Sequence, residues 1–575
     1  MNENYLAKAK APNQLLVWKM IGLLITCFIG MQSANAQYTS IPDANFEYAL
    51  ASLGIDTVFG DHQVLTTAIS GVTSLNLNNK SISDLTGIKA FSSLQTLVCQ
   101  QNNLTSLDLG GLTALTSLKC QNNNQLTSLN LSGLTSLKSV DCSNSNLTSL
   151  DLSGLTALTT MNCNVNQLTS LNIIGLTALN SLKCSWNQLT TLNLPTTLTS
   201  LECSQNKLTS LNLSSLSSLT FLICSNNQLT TLNLPTTLTS LDCSQNKLTS
   251  LNLGGTALTY LATADNQLTS LDLGGLTALI TVHCDGNKLT SLDLNGLNTL
   301  ETVTCTTNQI TSLNLNGLNA LITVDCSYNK LTSLDTIGLT ALQTIDCNSN
   351  QLTNLNLDGL PSLKTLHCYE NQMTSLDVSK LTAITHFWCN DNLLTSLDVS
   401  GLTALLYLDC RRNQLISLDV SKNPKIIVLY CSSNKLTSLN LKNGTNSING
   451  DLDLKNNPNL QCIQVNNKSY ADSYWSSKKD ATASYATVCS ALSIETTIFE
   501  KMSIYPNPSK GELHIDNVTI NKATVYDSLG KLVKSACFDN GSDKNTMNLG
   551  GLVKGNYFIF IQAEGVSTAK QIIVE

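Results

Sequence analysis

The sequence predicts a repeat solenoid, a stack of short parallel β-strands with about nineteen rungs and a 21-residue period, followed by a small antiparallel β-sandwich. Three observations predict it. One slot is cysteine sixteen times between Cys99 and Cys431, most often 21 residues apart. Around that slot apolar and polar residues alternate, as in Leu179-x-x-Leu182-x-Cys184-x-x-Asn187-x-Leu189, which marks a strand with one inward face. Aromatic residues are 5% and charged residues 12% of the 575-residue chain, both low for an ordinary globular protein. Leu, Thr, Ser and Asn fill the difference, as suits stacked strands and polar turns.

Residues 1–36 read as a secretory signal. Lys8, Lys10 and Lys19 precede a short apolar core from Met20 to Met31, and Ala34-Asn35-Ala36 provides small residues for cleavage before Gln37. Lipidation at Cys27 is disfavoured, because Leu24-Ile25-Thr26 lacks the small residue expected just before a lipidated cysteine. No other long apolar run exists, so no transmembrane helix is expected in the mature chain. Residues 37–71 read as an N-terminal cap. Pro42-Asp43-Ala44-Asn45 opens a helix expected to run through Leu53 and stop at Gly54. Asp56, Asp61 and His62 follow in a loop that lacks the alternating acidic spacing of a calcium loop, and it reads as solvated.

The array spans 72–457. Its key slot is Leu77, then the sixteen cysteines, with Thr263 among them, and finally Leu454. Leu182 and Cys184 face inward while Lys183 and Ser185 face out. Asn187 follows in a tight turn, where its amide can bond backbone groups that the turn leaves unpaired. Ser145 departs from this Asn slot and is expected to weaken its rung. Leu192-Asn193-Leu194 sends two more leucines inward on the return side. The returns at Pro195 and Pro235 are two residues shorter than usual, and such length changes map to outer loops, where they are tolerated.

Beyond the array, 458–492 reads as a C-terminal cap with a further strand at Leu460–Val465. Cys462 and Cys489, which flank the cap outside the ladder, are expected to form a disulfide in an exported protein. Residues 493–500 read as a linker. The segment 501–575 carries short alternating strands at Glu512–Ile515, Lys522–Tyr526, Lys531–Lys534, Tyr557–Gln562 and Thr568–Val574, a β-sandwich pattern. Cys537 is left without a partner.

The repeat L-x-x-L-x-L-x-x-N-x-L, with Cys in the third apolar position, resembles the leucine-rich repeat, and in particular the bacterial secreted, internalin-like kind. The resemblance covers about two-thirds of the chain. The C-terminal segment resembles the type A sorting domain of type IX secretion, as in Bacteroidota. The residues that carry this are Tyr505-Pro506-Asn507-Pro508, Val525-Tyr526-Asp527-Ser528-Leu529-Gly530, Leu552-Val553-Lys554-Gly555-Asn556-Tyr557 and the terminal Lys570-Gln571-Ile572-Ile573-Val574-Glu575. The resemblance implies handling by the type IX secretion machinery, export across the outer membrane, and release or attachment at the cell surface.

The net charge of −7 is spread thinly, with no Lys/Arg-rich run, so no nucleic-acid partner is expected. No nucleophile with a base, metal cluster or phosphate loop stands out, and neither an enzyme activity nor a cofactor or metal is expected. The cysteine ladder reads as packing. In-register strands hold neighbouring Cβ atoms near about 4.8 Å, beyond disulfide reach, and Leu77 and Leu454 replace cysteine in the same slot. The informative deviation lies on the outward strand slots between Cys368 and Cys431. There His367, Tyr369, Glu370, His386, Trp388, Asp391, Tyr407, Asp409, Arg411, Arg412 and Tyr430 replace the usual small polar residues. Aromatics with Arg on the concave face of a solenoid are the residue types of binding hot spots. The expected function is therefore binding of an unidentified protein or glycan, in adhesion or recognition at the cell surface. Two alternatives stand beside it: a structural surface spacer without a specific ligand, and an ice-binding array built on the outward Thr row that includes Thr190, Thr209, Thr230 and Thr249.

Overall fold

The computed structural model describes residues 37–444, 448, 451–489, 499, 501–527, 531–538, 542–563 and 566–575. The signal read at 1–36, Cys27, the turn at 528–530 and all of the 493–500 linker except Phe499 lie outside the described residues. The chain forms two units. One holds residues up to Thr437 with Asn443–Asn459 and Lys478–Asp480, and the other holds Ser438–Lys442, Leu460–Ser477 and the chain from Ala481 on.

The first unit begins with Tyr38–Ser40 paired antiparallel to Gln63–Leu65, and a helix at Ala44–Ser52 lies between them. Asp43 caps that helix by accepting the N–H groups of Asn45 and Phe46, each at 2.9 Å. The helix ends one residue earlier than expected, because Leu53 already serves as its C-cap, and Gly54 follows at φ +71°. Phe46, Ala49 and Leu50 are buried, and Phe46 packs against Phe91 with ring centroids 6.4 Å apart.

From Ser74–Asn76 to Asp451–Asp453, nineteen three-residue strands form one parallel ladder. The register is uniform: Leu182 lies opposite Met161 on one side and Leu201 on the other. Each strand's middle residue is buried, so every turn adds one layer to a continuous apolar column. The return side builds no comparable sheet. Ser106–Asp108 pairs with Ser128–Asn130, and Leu292 bridges Leu313, but most returns stay extended without strand pairing. Full-length returns bury both leucine-type positions, as at Leu171 and Ile173. In the shortened ones Leu192 is buried but Leu194 is only half-buried, since Pro195 turns the chain early.

The strands are too short to satisfy their turns, and the buried Asn supplies what is missing. The Asn187 amide donates to the carbonyls of Cys163 and Cys184, at 3.0 and 3.2 Å, while its oxygen accepts the Leu168 N–H at 3.0 Å. Each such side chain therefore ties two successive turns together. Asn102 and Asn123 do the same at the start of the array. At Ser145 the side-chain oxygen is buried without a hydrogen-bond partner, and the Leu126 N–H turns instead to the Asn123 carbonyl. The array ends where Asp480 accepts the N–H groups of Asn456 and Asn457, at 2.9 and 2.6 Å, in place of a further rung.

The residue two after each cysteine sits in the left-handed region in nearly every turn, from Gln101 at φ +56° to Ser433 at φ +57°. Asn, Gly and Asp suit that conformation. Val165, at φ +57°, is β-branched and does not.

All sixteen ladder cysteines are buried free thiols. Burial pushes Cys99, Cys163 and Cys203 up to about 12, and raises the rest as well. Several thiols also sit near the next turn's carbonyl, as Cys284 does to Thr304 at 3.4 Å.

In the second unit, Ser438–Asn440, Cys462–Gln464 and Ser484–Ala486 form a short parallel sheet. Cys462 and Cys489 are joined by a disulfide. The C-terminal segment has two antiparallel sheets. Ser503–Tyr505, Glu512–Asp516 and Lys544–Asn548 form one, and Leu532–Cys537, Lys522–Tyr526, Gly555–Ala563 and Val566–Val574 form the other. Leu513, Ile515, Val525, Met547, Ile559 and Ile572 belong to its core. The strands at Ser503–Tyr505 and Lys544–Asn548 go beyond the sequence expectation. The second of these buries Asn545 where the alternation calls for an apolar residue, and its amide donates to Val518 and Ser542 carbonyls.

Four outcomes follow. In protein lacking residues 1–36, a thiol reagent without reductant should modify the exposed Cys537 under native conditions, and the ladder cysteines only after denaturation. The ladder thiols are raised above their ordinary value near 9.0, so the unfolded state loses protons first as pH rises. Stability is then full below about pH 9 and falls above it, and replacing Cys203 by Val should flatten the slope by roughly 1.4 kcal/mol per pH unit in urea unfolding. Ser145→Asn should add about 1 kcal/mol by restoring the bridging amide, and Val165→Asn about 1 kcal/mol by relieving the left-handed valine, both read from urea midpoints.

Candidate binding site

A uniform register turns outward positions 21 residues apart into columns along the ladder. Strands Thr365–His367, His386–Trp388, Tyr407–Asp409 and Val428–Tyr430 lie side by side. His367, Trp388, Asp409 and Tyr430 therefore share one column, and His386, Tyr407 and Val428 share another. Tyr369, Asn390 and Arg411, each just past a cysteine, make a third. Glu370, Asp391 and Arg412 occupy the left-handed turn position, at φ +51°, +55° and +49°.

Neighbours in a column interact face to face. The His367 ring stacks on Trp388, with centroids 4.1 Å apart and planes 14° from parallel. Its Nδ1 lies 3.1 Å from the Asp346 carboxylate. His386 stacks on Tyr407 at 4.5 Å and 17°. Burial and the charge of His367 hold His386 below its ordinary value, so it is neutral at neutral pH. Arg411 donates through Nε and Nη2 to Asp409, at 3.0 and 2.6 Å, and its guanidinium lies 4.6 Å from the centre of the Tyr430 ring. The Tyr430 hydroxyl donates to Asp451 at 3.0 Å. Tyr369 is pushed up to about 12 by burial and then by the Asp346 charge.

These contacts shape a concavity of about 460 Å³ lined by Tyr369, Trp388, Asn390, Tyr407, Asp409, Arg411, Val428 and Tyr430, with Leu408 beneath. Six of the eleven residues singled out from the sequence thus come together. The other five stand apart from the lining. His367 backs Trp388, and His386 backs Tyr407. Arg412 pairs with Asp391 along the turn edge, its Nη2 at 2.7 Å. Burial works to raise Asp391, but the hydrogen bonds from Arg412 and Asn390 outweigh it and hold its carboxyl low. Glu370 accepts the Ser349 hydroxyl at 2.6 Å. Asn390, Leu408 and Val428 were not anticipated. The 21-residue register could have found Val428, which follows Tyr407 in its column. Leu408 is a core leucine that becomes floor only because its neighbours rise above it.

In the C-terminal unit a larger concavity, about 600 Å³, lies on the four-stranded sheet beside Lys522, Tyr526, Phe558 and Phe560. The Tyr505-Pro506-Asn507-Pro508 motif is used differently there. The Asn507 amide donates to the Gln571 carbonyl at 3.1 Å, and its oxygen accepts the Ile573 N–H at 2.8 Å. Ser509, just beyond, accepts the Glu575 N–H through its backbone carbonyl. The motif thus pins the last strand of the chain.

Residues 503–575 match the family model described as a secretion system C-terminal sorting domain. The chain is therefore an exported protein, secreted or held at the cell surface, with the tail that type IX secretion machinery engages. No helix among the described residues is long and apolar enough to cross a membrane. A search of curated proteins finds no match. Among solved structures, the functional domain of InlJ from Listeria monocytogenes, which includes a cysteine ladder, is 25% identical. The match covers 94% of this chain and 99% of that one, with a TM-score of 0.39. YopM from Yersinia enterocolitica is 23% identical, covering 78% and 90%, with a TM-score of 0.55. The plant peptide hormone receptor RGFR1, solved in complex with RGF2, is 20% identical, covering 70% and 69%, with a TM-score of 0.51. The array is a leucine-rich repeat solenoid.

Replacing Asn507 by Ala removes both of its bonds to the terminal strand and should cost that strand about 1–2 kcal/mol of protection. Amide hydrogen exchange of residues 570–575 in the full chain measures it, and exchange at 74–76 should not change.

Proposed function

We propose that this exported leucine-rich repeat protein is non-catalytic and binds a protein or glycan ligand on its strand face, in adhesion or recognition at the cell surface. The observation that supports this reading is the cluster around Trp388, Arg411 and Tyr430. Elsewhere most outward slots carry small polar residues, whereas here four successive turns raise aromatic rings around one concavity.

The chemistry suits recognition. Trp388 is 38% exposed and is held rigid by the imidazole stacked behind it, so it presents a flat apolar plate at little entropic cost. Arg411 is fixed by Asp409 and Tyr430, which orients its planar guanidinium before any ligand arrives. The histidines nearby are occupied in stacking and in contacts with Asp346 and Thr385, an arrangement that supports the rings.

A glycan array and a partner pull-down with the full chain identify the ligand. Replacing Trp388, Arg411 and Tyr430 together by Ser should then weaken binding about 100-fold or more, because residues of this type dominate interface energies. Unchanged affinity in a folded triple variant would sink the assignment. Blank screens with folded protein favour the surface-spacer reading, and thermal hysteresis of the purified protein would favour the ice-binding one.

A further inference from the structure

We propose that the N-terminal cap holds one divalent metal ion, Ca²⁺ in the first place, between Glu47, Asp56 and Asp61. Glu47 comes from the Ala44–Ser52 helix, and the two aspartates come from the loop that leads into Gln63–Leu65. One carboxylate oxygen from each lies within 4.8 Å of the others. Among the described residues this is the one group of three acidic or metal-ligating side chains so arranged.

Proximity alone would mean little, but the burial of two of these groups, Glu47 and Asp56, points to a missing counter-charge. Glu47 is fully buried. Its Oε1 accepts the N–H groups of Gly60 and His62, at 2.9 and 2.8 Å, which wraps the loop around the carboxylate. Its Oε2 is buried and accepts no hydrogen bond, with the His62 Nδ1 at 3.6 Å beside it. Asp56 repeats the arrangement. Its Oδ1 accepts the Val58 N–H at 3.1 Å, while its Oδ2 is buried and accepts none. Two buried carboxylate oxygens without donors, on side chains grouped with a third carboxylate, are unfavourable unless a cation sits among them. The three donors are all oxygens, which select a hard ion over a thiophilic or imidazole-seeking one.

The loop is exposed from 57 to 63, as its sequence suggests, and only Asp56 turns inward and is buried. The spacing of Asp56 and Asp61 does not fit a calcium loop, because the central ligand stands on the preceding helix. An ion there would join helix to loop next to Ile41, whose N–H donates to the His62 carbonyl, and would stiffen the end of the solenoid where the ladder begins.

The test is a calorimetric titration of the full chain, stripped with EDTA, using CaCl₂, MgCl₂ and ZnCl₂ in separate runs. The expected result is saturable binding of one Ca²⁺ per chain, with affinity reduced tenfold or more in Glu47→Gln and in Asp56→Asn. Glu47→Gln keeps the acceptor that holds Gly60 and His62. If that variant does not fold by circular dichroism, Asp61→Asn, on an exposed residue, takes its place with the same expectation. No saturable Ca²⁺ binding overturns the proposal. So does unchanged affinity in the folded variants, and so does binding of Zn²⁺ alone.

Discussion

The buried asparagine amide is the interaction on which the rest of the solenoid depends. A strand of three residues pairs only a fraction of the backbone in a 21-residue turn, and the tight bend after it would leave carbonyls and N–H groups unpaired in a dry interior. One side chain per turn settles this by donating backward to two carbonyls and accepting one N–H. It also couples each turn to the one before it, which gives a one-dimensional array its cooperativity. The leucine and cysteine columns supply apolar burial, but the amide fixes the bend that aligns them.

Much of this was legible in the sequence because a period repeated so often averages away local noise. The strand, the inward cysteine and the turn asparagine each recur in a fixed slot, and the structure places them as the slot implies. What escaped was whatever depends on three dimensions in a single turn. Asn545 hides a strand because a buried amide interrupts the alternation. Leu194 stays half-buried because a proline two positions short of the usual length redirects the chain. Glu47 lies in the first turn of its helix, and only the fold of the following loop reveals that it is sealed.

The strand-face cluster shows both sides of that limit. Its residues were found because they break the repeat's own consensus, a signal that needs no structure. Their division of labour could not be read in advance. Register decides that His367 lies behind Trp388 and that Arg411 reaches Tyr430, and so separates rings that line the concavity from rings that brace it. A feature spread from Tyr369 to Tyr430 becomes one surface because four turns stack in phase.

The sealed thiol column also gives the array a form of memory. Neighbouring cysteines in intact turns are sealed from solvent, and that burial raises them well above their ordinary value. A turn that opens in oxidising surroundings frees two adjacent sulfurs from that restraint, and a bond between them would hold that turn out of phase with its neighbours. Intact turns thus stay reduced for as long as they stay shut, whereas a single opening can become permanent. For an exported protein, the packing that keeps these turns shut is thus also what keeps the thiols away from oxidants.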